Sequence, residues 1–440
     1  MTGGRSADTP DGGSLRLGGL GRWYRHGMAQ LSHRGRALIE EAPMSPYFDA
    51  HYERKGDRFD ARTNPDGYIG LCVAENRTVW PLLAPRLTAP RTTMQHSSIC
   101  YDEMVGCSRF RGQLADFMAE HIHGRRFEPE QIAALAGTGS VLEILFYCIA
   151  DAGDAVLVPT PSYAGFWADL ETRNELTIVP VHTRSADGFV LTEDLLDEAW
   201  ESSDRPIRGL VYTNPDNPRG AVASRDQIEL VIRWCERRGI HLVLDEVYAL
   251  SIHGDAEFVS GASLRPSLGP DMHLCWAFSK DFGASGLRCG VLVSENEEVM
   301  QSVAALAYWS AVSGETQHIL GELISDREWV SEYLQAMQAG LRDSYTAVTD
   351  ALDAAGIPYV PAAGGYFFLV DLRAHLDDAT WEAEDALWRR ILEQANVNLT
   401  PGSACRNEEP GFMRLCFAAE PKEAVLVAVE RIARVLSRPA

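Results

Sequence analysis

The sequence predicts an α/β protein, with a mainly parallel seven-stranded sheet covered by helices and a smaller α+β unit after it. Three observations predict this. Seven short apolar runs between Phe127 and Val293 alternate with stretches of helical periodicity, the pattern of a sheet buried on both faces. Beyond Val293 that alternation gives way to a long helical region and a few isolated short strands. A chain of 440 residues also exceeds what one hydrophobic core usually holds.

Taken in order, Met1–Gly21 is rich in Gly, Ser and Asp and has no apolar h-region, so it is expected to be a disordered extension and not a secretory signal. We place that extension at residues 1–30, and a segment packing with the smaller unit at 31–99. The larger domain is expected over 100–320 and the smaller one over 321–440. The predicted strands are IAALAG (Ile132–Gly137), AVLVPT (Ala155–Thr160), LTIVPV (Leu176–Val181), GLVYT (Gly209–Thr213), IHLVLDE (Ile240–Glu246), HLCWAFS (His273–Ser279) and RCGVLVS (Arg288–Ser294). Among the intervening helices, Ser224–Gly239 carries apolar residues at helical spacing and closes on a glycine suited to a C-cap. In the smaller unit, GGYFFLVDL and FMRLCFA read as strands, with helices over Trp381–Ala395 and from Pro421 onward.

The formal net charge of −22 argues against a nucleic-acid or anionic-membrane partner, either of which calls for a basic face. No apolar run is long enough to span a bilayer. Nine cysteines, none spaced as CxxC, read as buried reduced thiols in a cytoplasmic protein. No metal-binding spacing is present, and His121 and His123 in HIHG read as an exposed helix end.

Chemistry concentrates at the ends of the predicted strands. Ligands of open α/β sheets bind outside the carboxyl ends of the strands. Four such ends carry TNPDNPRG, DEVY, SK and GTGS. Only Lys55, Lys280 and Lys422 are lysines, and Lys280 alone follows an apolar strand, where a buried amine is costly unless it is paired or functional. Asp245 ends another such strand, and a buried acid needs a cationic or donor partner; a protonated pyridine nitrogen is one. Gly137–Ser140 opening a helix is a backbone cradle for phosphate. Leu142 replaces the third glycine of a dinucleotide fingerprint, which favours a monophosphate.

These residues resemble the fold type I, class I/II aminotransferase superfamily of pyridoxal-phosphate (PLP) enzymes. The segments NPDGYIGLCVAEN, FSKDFGASGLRCG and PGSACRNEEPGFMRLCFA, with others from about Ser45 onward, are similar to its 1-aminocyclopropane-1-carboxylate (ACC) synthase branch. The resemblance implies PLP as cofactor and Lys280 as the Schiff-base lysine. Asp245 is then the partner of the pyridinium, and Tyr248 and Asn217 hydrogen bond the phenolic oxygen. Thr138, Gly139, Ser140 and Arg288 are implied to hold the phosphate, and Tyr163 to stack on the ring. Arg414 would clamp the substrate α-carboxylate, and Glu75 would line the substrate pocket. A homodimer and S-adenosylmethionine, or a similar γ-activated amino acid, are also implied. The activity would be a lyase or γ-replacement reaction. An aminotransferase uses the same lysine, aspartate and arginine and is the alternative. A homologue retained only as a scaffold would not need to keep that set.

The chain departs from the branch at two places. Met104 stands where the branch has a tyrosine that reaches the neighbouring subunit's phosphate. Ala277 stands where it has a phosphate-binding serine. We therefore expect altered phosphate binding, and a second substrate that makes ACC a minor product.

Overall fold

A computed structural model describes residues 30–40 and 45–437. The chain divides into two compact units, 1–43 and 44–440. In the first, the described part contains a helix, His33–Glu40. Apart from Gln30, the expected extension over 1–30 lies outside the described residues.

The second unit is built on a seven-stranded sheet. Its strands are β1 (Ile132–Leu135), β2 (Ala155–Thr160), β3 (Thr177–His182), β4 (Ile207–Thr213), β5 (His241–Asp245), β6 (Met272–Ala277) and β7 (Gly290–Ser294). The spatial order is β1-β7-β6-β5-β4-β2-β3. The pairs β2–β3, β2–β4, β4–β5 and β5–β6 are parallel, whereas β7 runs antiparallel to both its neighbours. Strands β1, β6 and β7 are buried along their whole length, which explains why they read as unbroken apolar runs. All seven predicted strands are present.

Only Ala155–Thr160 has the expected bounds; the other six strands differ by one or two residues at one or both ends, and one of these differences moves a functional side chain. The run HLCWAFS was read as extended to Ser279, but β6 ends at Ala277 and Phe278–Asp281 forms a short helical turn. The Phe278 and Lys280 carbonyls both accept from the Phe282 N–H. Lys280 therefore leaves the sheet on a turn and not on a strand. The helix after β4 runs Arg225–Arg238, with the Ser224 side chain accepting from the Gln227 N–H and Gly239 closing it at φ 63°, as Ser N-caps and left-handed Gly caps do.

A three-stranded antiparallel sheet forms from β8 (Phe367–Asp371), β9 (Thr400–Pro401) and β10 (Phe412–Cys416), with β10 in the centre. Nearby, Ile69–Gly70 pairs in parallel with Val397–Asn398. The Leu71 carbonyl then accepts from the Cys416 N–H. This pairing brings residues 71–75 alongside β10, where Arg414 sits. A 29-residue helix, Arg327–Ala355, spans the stretch between the two sheets in sequence. Among the described residues no helix is long and apolar enough to cross a membrane.

Candidate active site

The sheet delivers its polar residues to one end. Thr213 closes β4 and leads to Asn217; Asp245 closes β5 and leads to Tyr248; Lys280 lies three residues beyond β6. After β1, helix α1 (Thr138–Ile149) begins, and its first intrahelical bond is Val141 N–H to the Gly137 carbonyl. The N–H groups of Thr138, Gly139 and Ser140 are thus left for a ligand. These elements enclose a cavity of about 200 Å³ lined by Thr138, Asn217, Asp245, Tyr248, Lys280 and Arg288, among others.

Gly137 at φ +92° opens this cradle, and a Cβ there would overlap the Arg288 guanidinium. Glycine is needed for both the dihedral and the close approach. Arg288 itself has φ 51°, an uncommon conformation for a side-chain-bearing residue. It donates to the Ser285 carbonyl (2.9 Å) and the Ala136 carbonyl (3.3 Å). The Ser140 hydroxyl turns back to the Ala136 carbonyl, so its contribution to the cradle is its N–H. Tyr163 also lines the cavity, with its ring edge-on to Phe166 at 5.3 Å.

Asp245 is 4% exposed, and its carboxylate accepts one long bond, 3.4 Å from the Val247 N–H. Burial pushes its pKa up to about 7, against the pull of that N–H and of Lys280. Lys280 Nζ donates to the Ala74 carbonyl at 2.9 Å. Burial and the Arg414 guanidinium bring its pKa down to about 8. The Tyr248 hydroxyl accepts from Asn217 Nδ2 at 3.5 Å. Asn217 Oδ1 accepts from Arg414 Nη1 at 2.9 Å, and Arg414 Nη2 donates to Thr400 Oγ1 at 3.0 Å and to the Cys72 carbonyl. Arg414 is buried, and its Nε has no hydrogen-bond partner among the described residues. Glu75 joins the cavity through Ser285, whose hydroxyl donates to it at 2.9 Å, while Arg77 pairs with its other oxygen at 3.0 Å.

Sequence reasoning missed several members of this site. Asp281 is fully buried and accepts from Ser251 Oγ (2.7 Å), Trp276 Nε1 (2.8 Å) and the Leu250 N–H (3.2 Å). It ties the Lys280 turn to the loop that follows Tyr248. An acid directly after the lysine was the available signal. Behind Asp245, Glu246 accepts from Ser260 Oγ at 2.8 Å, and Ser260 meets His123 Nδ1 at 3.0 Å. His123 is therefore buried, at 1% exposure. This corrects the exposed-helix-end expectation for it; only partners distant in sequence make burial of that ring affordable. Asp169 and Ser285 also line the cavity, and no local pattern marks either. Ala277 is fully buried, and Met104 lines a separate surface depression with Tyr101 and Tyr308.

The sequence model of the aminotransferase class I and II family matches residues 67–432. The chain belongs to the aminotransferase class I and II family. It is 33% identical over 415 residues to 1-aminocyclopropane-1-carboxylate synthase 8 of Arabidopsis thaliana, covering 90% of this chain and 88% of that protein. It is 32% identical to 1-aminocyclopropane-1-carboxylate synthase of Nicotiana tabacum, over 88% of this chain and 83% of that one. In fold it is similar to aspartate aminotransferase from Thermus thermophilus with maleate, with a TM-score of 0.78 at 23% identity over 93% of this chain and all of that one. The fold is thus that of fold type I enzymes, and the family's cofactor is pyridoxal 5′-phosphate. The residues present fit it. A buried carboxylate that forms no ion pair with a described residue, a cradle of N–H groups outside the helical bonding and a buried amine share one cavity.

Proposed function

We propose that this family member acts on S-adenosylmethionine, or a similar γ-activated α-amino acid, and expels the γ-leaving group, methylthioadenosine in the first case. The carrying observation is Glu75: an anionic side chain hydrogen bonded to cavity-lining Ser285, in a chain one-third identical to named synthases. A carboxylate there favours a sulfonium by Coulomb attraction.

Bound PLP supplies an electron sink conjugated with the substrate α-carbon. Asp245 would hold the ring nitrogen's proton, and Tyr248 with Asn217 would hydrogen bond its phenolic oxygen. The N–H groups of Thr138, Gly139 and Ser140, with Arg288, would hold its phosphate, and Tyr163 would stack on its ring. Arg414 presents a planar fork to the α-carboxylate, with its unpartnered Nε available. Lys280 takes the α-proton; an amine brought down to about 8 is well matched to act as a base near neutrality. The γ-bond then breaks by elimination, by cyclisation, or with replacement by a second substrate. ACC is taken as the minor outcome because Met104 and Ala277 depart from the residues of the branch at those positions; Met104 itself lies outside the Lys280 cavity and would reach a site only across a subunit boundary.

We also assign a homodimer. Ile99, Tyr101, Tyr308 and Trp309 are large apolar residues that are 66% or more exposed, and Tyr101 and Tyr308 flank a depression of about 690 Å³. An exposed apolar patch of this kind marks an interaction surface, and a second copy would cover it.

Incubation with S-adenosylmethionine tests the activity by release of methylthioadenosine. An aminotransferase would instead leave pyridoxamine phosphate, which a keto acid converts back.

A further inference from the structure

Asp169 is a carboxylate for which the proposed reaction has no use. It lies on the short helix Phe166–Glu171 and lines the Lys280 cavity with Thr138, Gly139 and Arg288. A Cβ built on Gly139 would stand 2.9 Å from Asp169 Oδ1, so the acid rests against the second glycine of the cradle. No hydrogen bond from a described residue reaches its carboxylate, and what acts on it is burial, Arg288 and Glu143. Arg288 packs over Gly137 and Asp169 over Gly139. They face the same cradle without closing on each other as an ion pair.

A phosphate group in that cradle would put a second anion beside this one. Two acids sharing a low-dielectric site cannot both stay ionised at little cost, and a shared proton is the usual resolution. Burial already pushes Asp169 up to about 6, with Glu143 adding to it and Arg288 opposing. The other charged or titratable groups that feel Asp169 are Tyr163 and Asp245, and Glu143 is itself paired with Arg173 at 3.3 Å. None of these donates to it.

We propose that Asp169, held as the neutral carboxylic acid against Gly139, donates a hydrogen bond to the cofactor phosphate. The proposal rests on the assignment of Gly137–Ser140 as the phosphate cradle. Above neutral pH, binding takes up one proton from solvent, because the phosphate monoester, whose second ionisation lies near pH ~6, is already the dianion. Cofactor affinity consequently falls as pH rises, by more than the other titrating groups require.

The test is the PLP dissociation constant, by equilibrium dialysis at several pH values, for the full chain and for Asp169→Asn and Asp169→Ala. Phosphorus NMR of the bound cofactor runs alongside. The Asn side chain keeps an uncharged donor of the same shape. It should hold PLP about as tightly as wild type and flatten the fall in affinity at high pH. The Ala variant should bind about tenfold more weakly, a difference of about 1.4 kcal/mol, with a shifted phosphorus resonance. Wild-type affinity and resonance in the Ala variant would overturn the proposal, as would an Asn variant as weak as Ala. PLP retained on Lys280 with an unshifted phosphorus resonance in Ser140→Pro, which removes a cradle N–H without building against Asp169, would overturn the cradle assignment, and this proposal with it.

Discussion

Arg414 on the small sheet and Asn217 beyond β4 of the large sheet are joined by a 2.9 Å hydrogen bond from Nη1 to Oδ1. Asn217 in turn donates to the Tyr248 hydroxyl. The residue assigned to the substrate carboxylate and those assigned to the cofactor's phenolic oxygen are therefore one connected unit. Displacement of either end is felt at the other.

Arg414→Lys should accordingly do more than weaken substrate binding. A lysine keeps the charge but loses the fork that spans Asn217, Thr400 and the Cys72 carbonyl. Loss of a charged hydrogen bond costs on the order of 1.5–3 kcal/mol, so kcat/KM should fall roughly 10- to 100-fold. The visible absorbance of the bound cofactor should also move, through Asn217 and Tyr248. Steady-state kinetics and absorbance spectra check both.

Lys280 makes a pH-dependent prediction in the cofactor-free protein. Its amine must be neutral to attack the aldehyde of PLP, and burial with Arg414 nearby holds its pKa at about 8. The rate of PLP incorporation should rise about tenfold per pH unit below that value and level off above it. An unperturbed lysine would continue rising to about pH 10.4. Lys280→Ala should bind PLP without forming the lysine-linked chromophore, and turnover should be lost. Stopped-flow absorbance follows the first, and dialysis followed by an activity assay the second.

Asp281→Ala should destabilise the fold by about 2–4 kcal/mol, because it strands three buried donors on Ser251, Trp276 and Leu250. Burial pushes this acid up to about 7. A carboxyl raised in the folded state contributes stability that is complete below its unfolded value, near 3.8, and is lost as pH rises through about 7. The wild-type denaturation midpoint should therefore decline over that window, and Asp281→Asn should show a smaller decline. Urea titrations across pH measure it.

The strands were legible because a sheet covered on both faces requires unbroken apolar runs, and β6 and β7 are buried along their entire length. Lys280 stood out because the chain has only three lysines. Asp169, Ser285 and the burial of His123 were not legible. Each depends on a partner brought close by the fold: Gly139 across two helices, Glu75 from 210 residues away, and Ser260 from 137 residues away. The helical turn at Phe278–Asp281 was also hidden, since FS continues an apolar run and the Phe282 N–H that closes the turn belongs to the next segment.

The most direct measurement of the central claim is mass spectrometry of the products after purified PLP-loaded protein is incubated with S-adenosylmethionine, alone and with nucleophilic second substrates. Methylthioadenosine should appear in both arms, with a γ-substituted or cyclised amino acid exceeding ACC when a second substrate is present. S-adenosylmethionine recovered intact in every arm, together with pyridoxamine phosphate formed from an ordinary amino acid and consumed by a keto acid, would contradict the account and establish an aminotransferase.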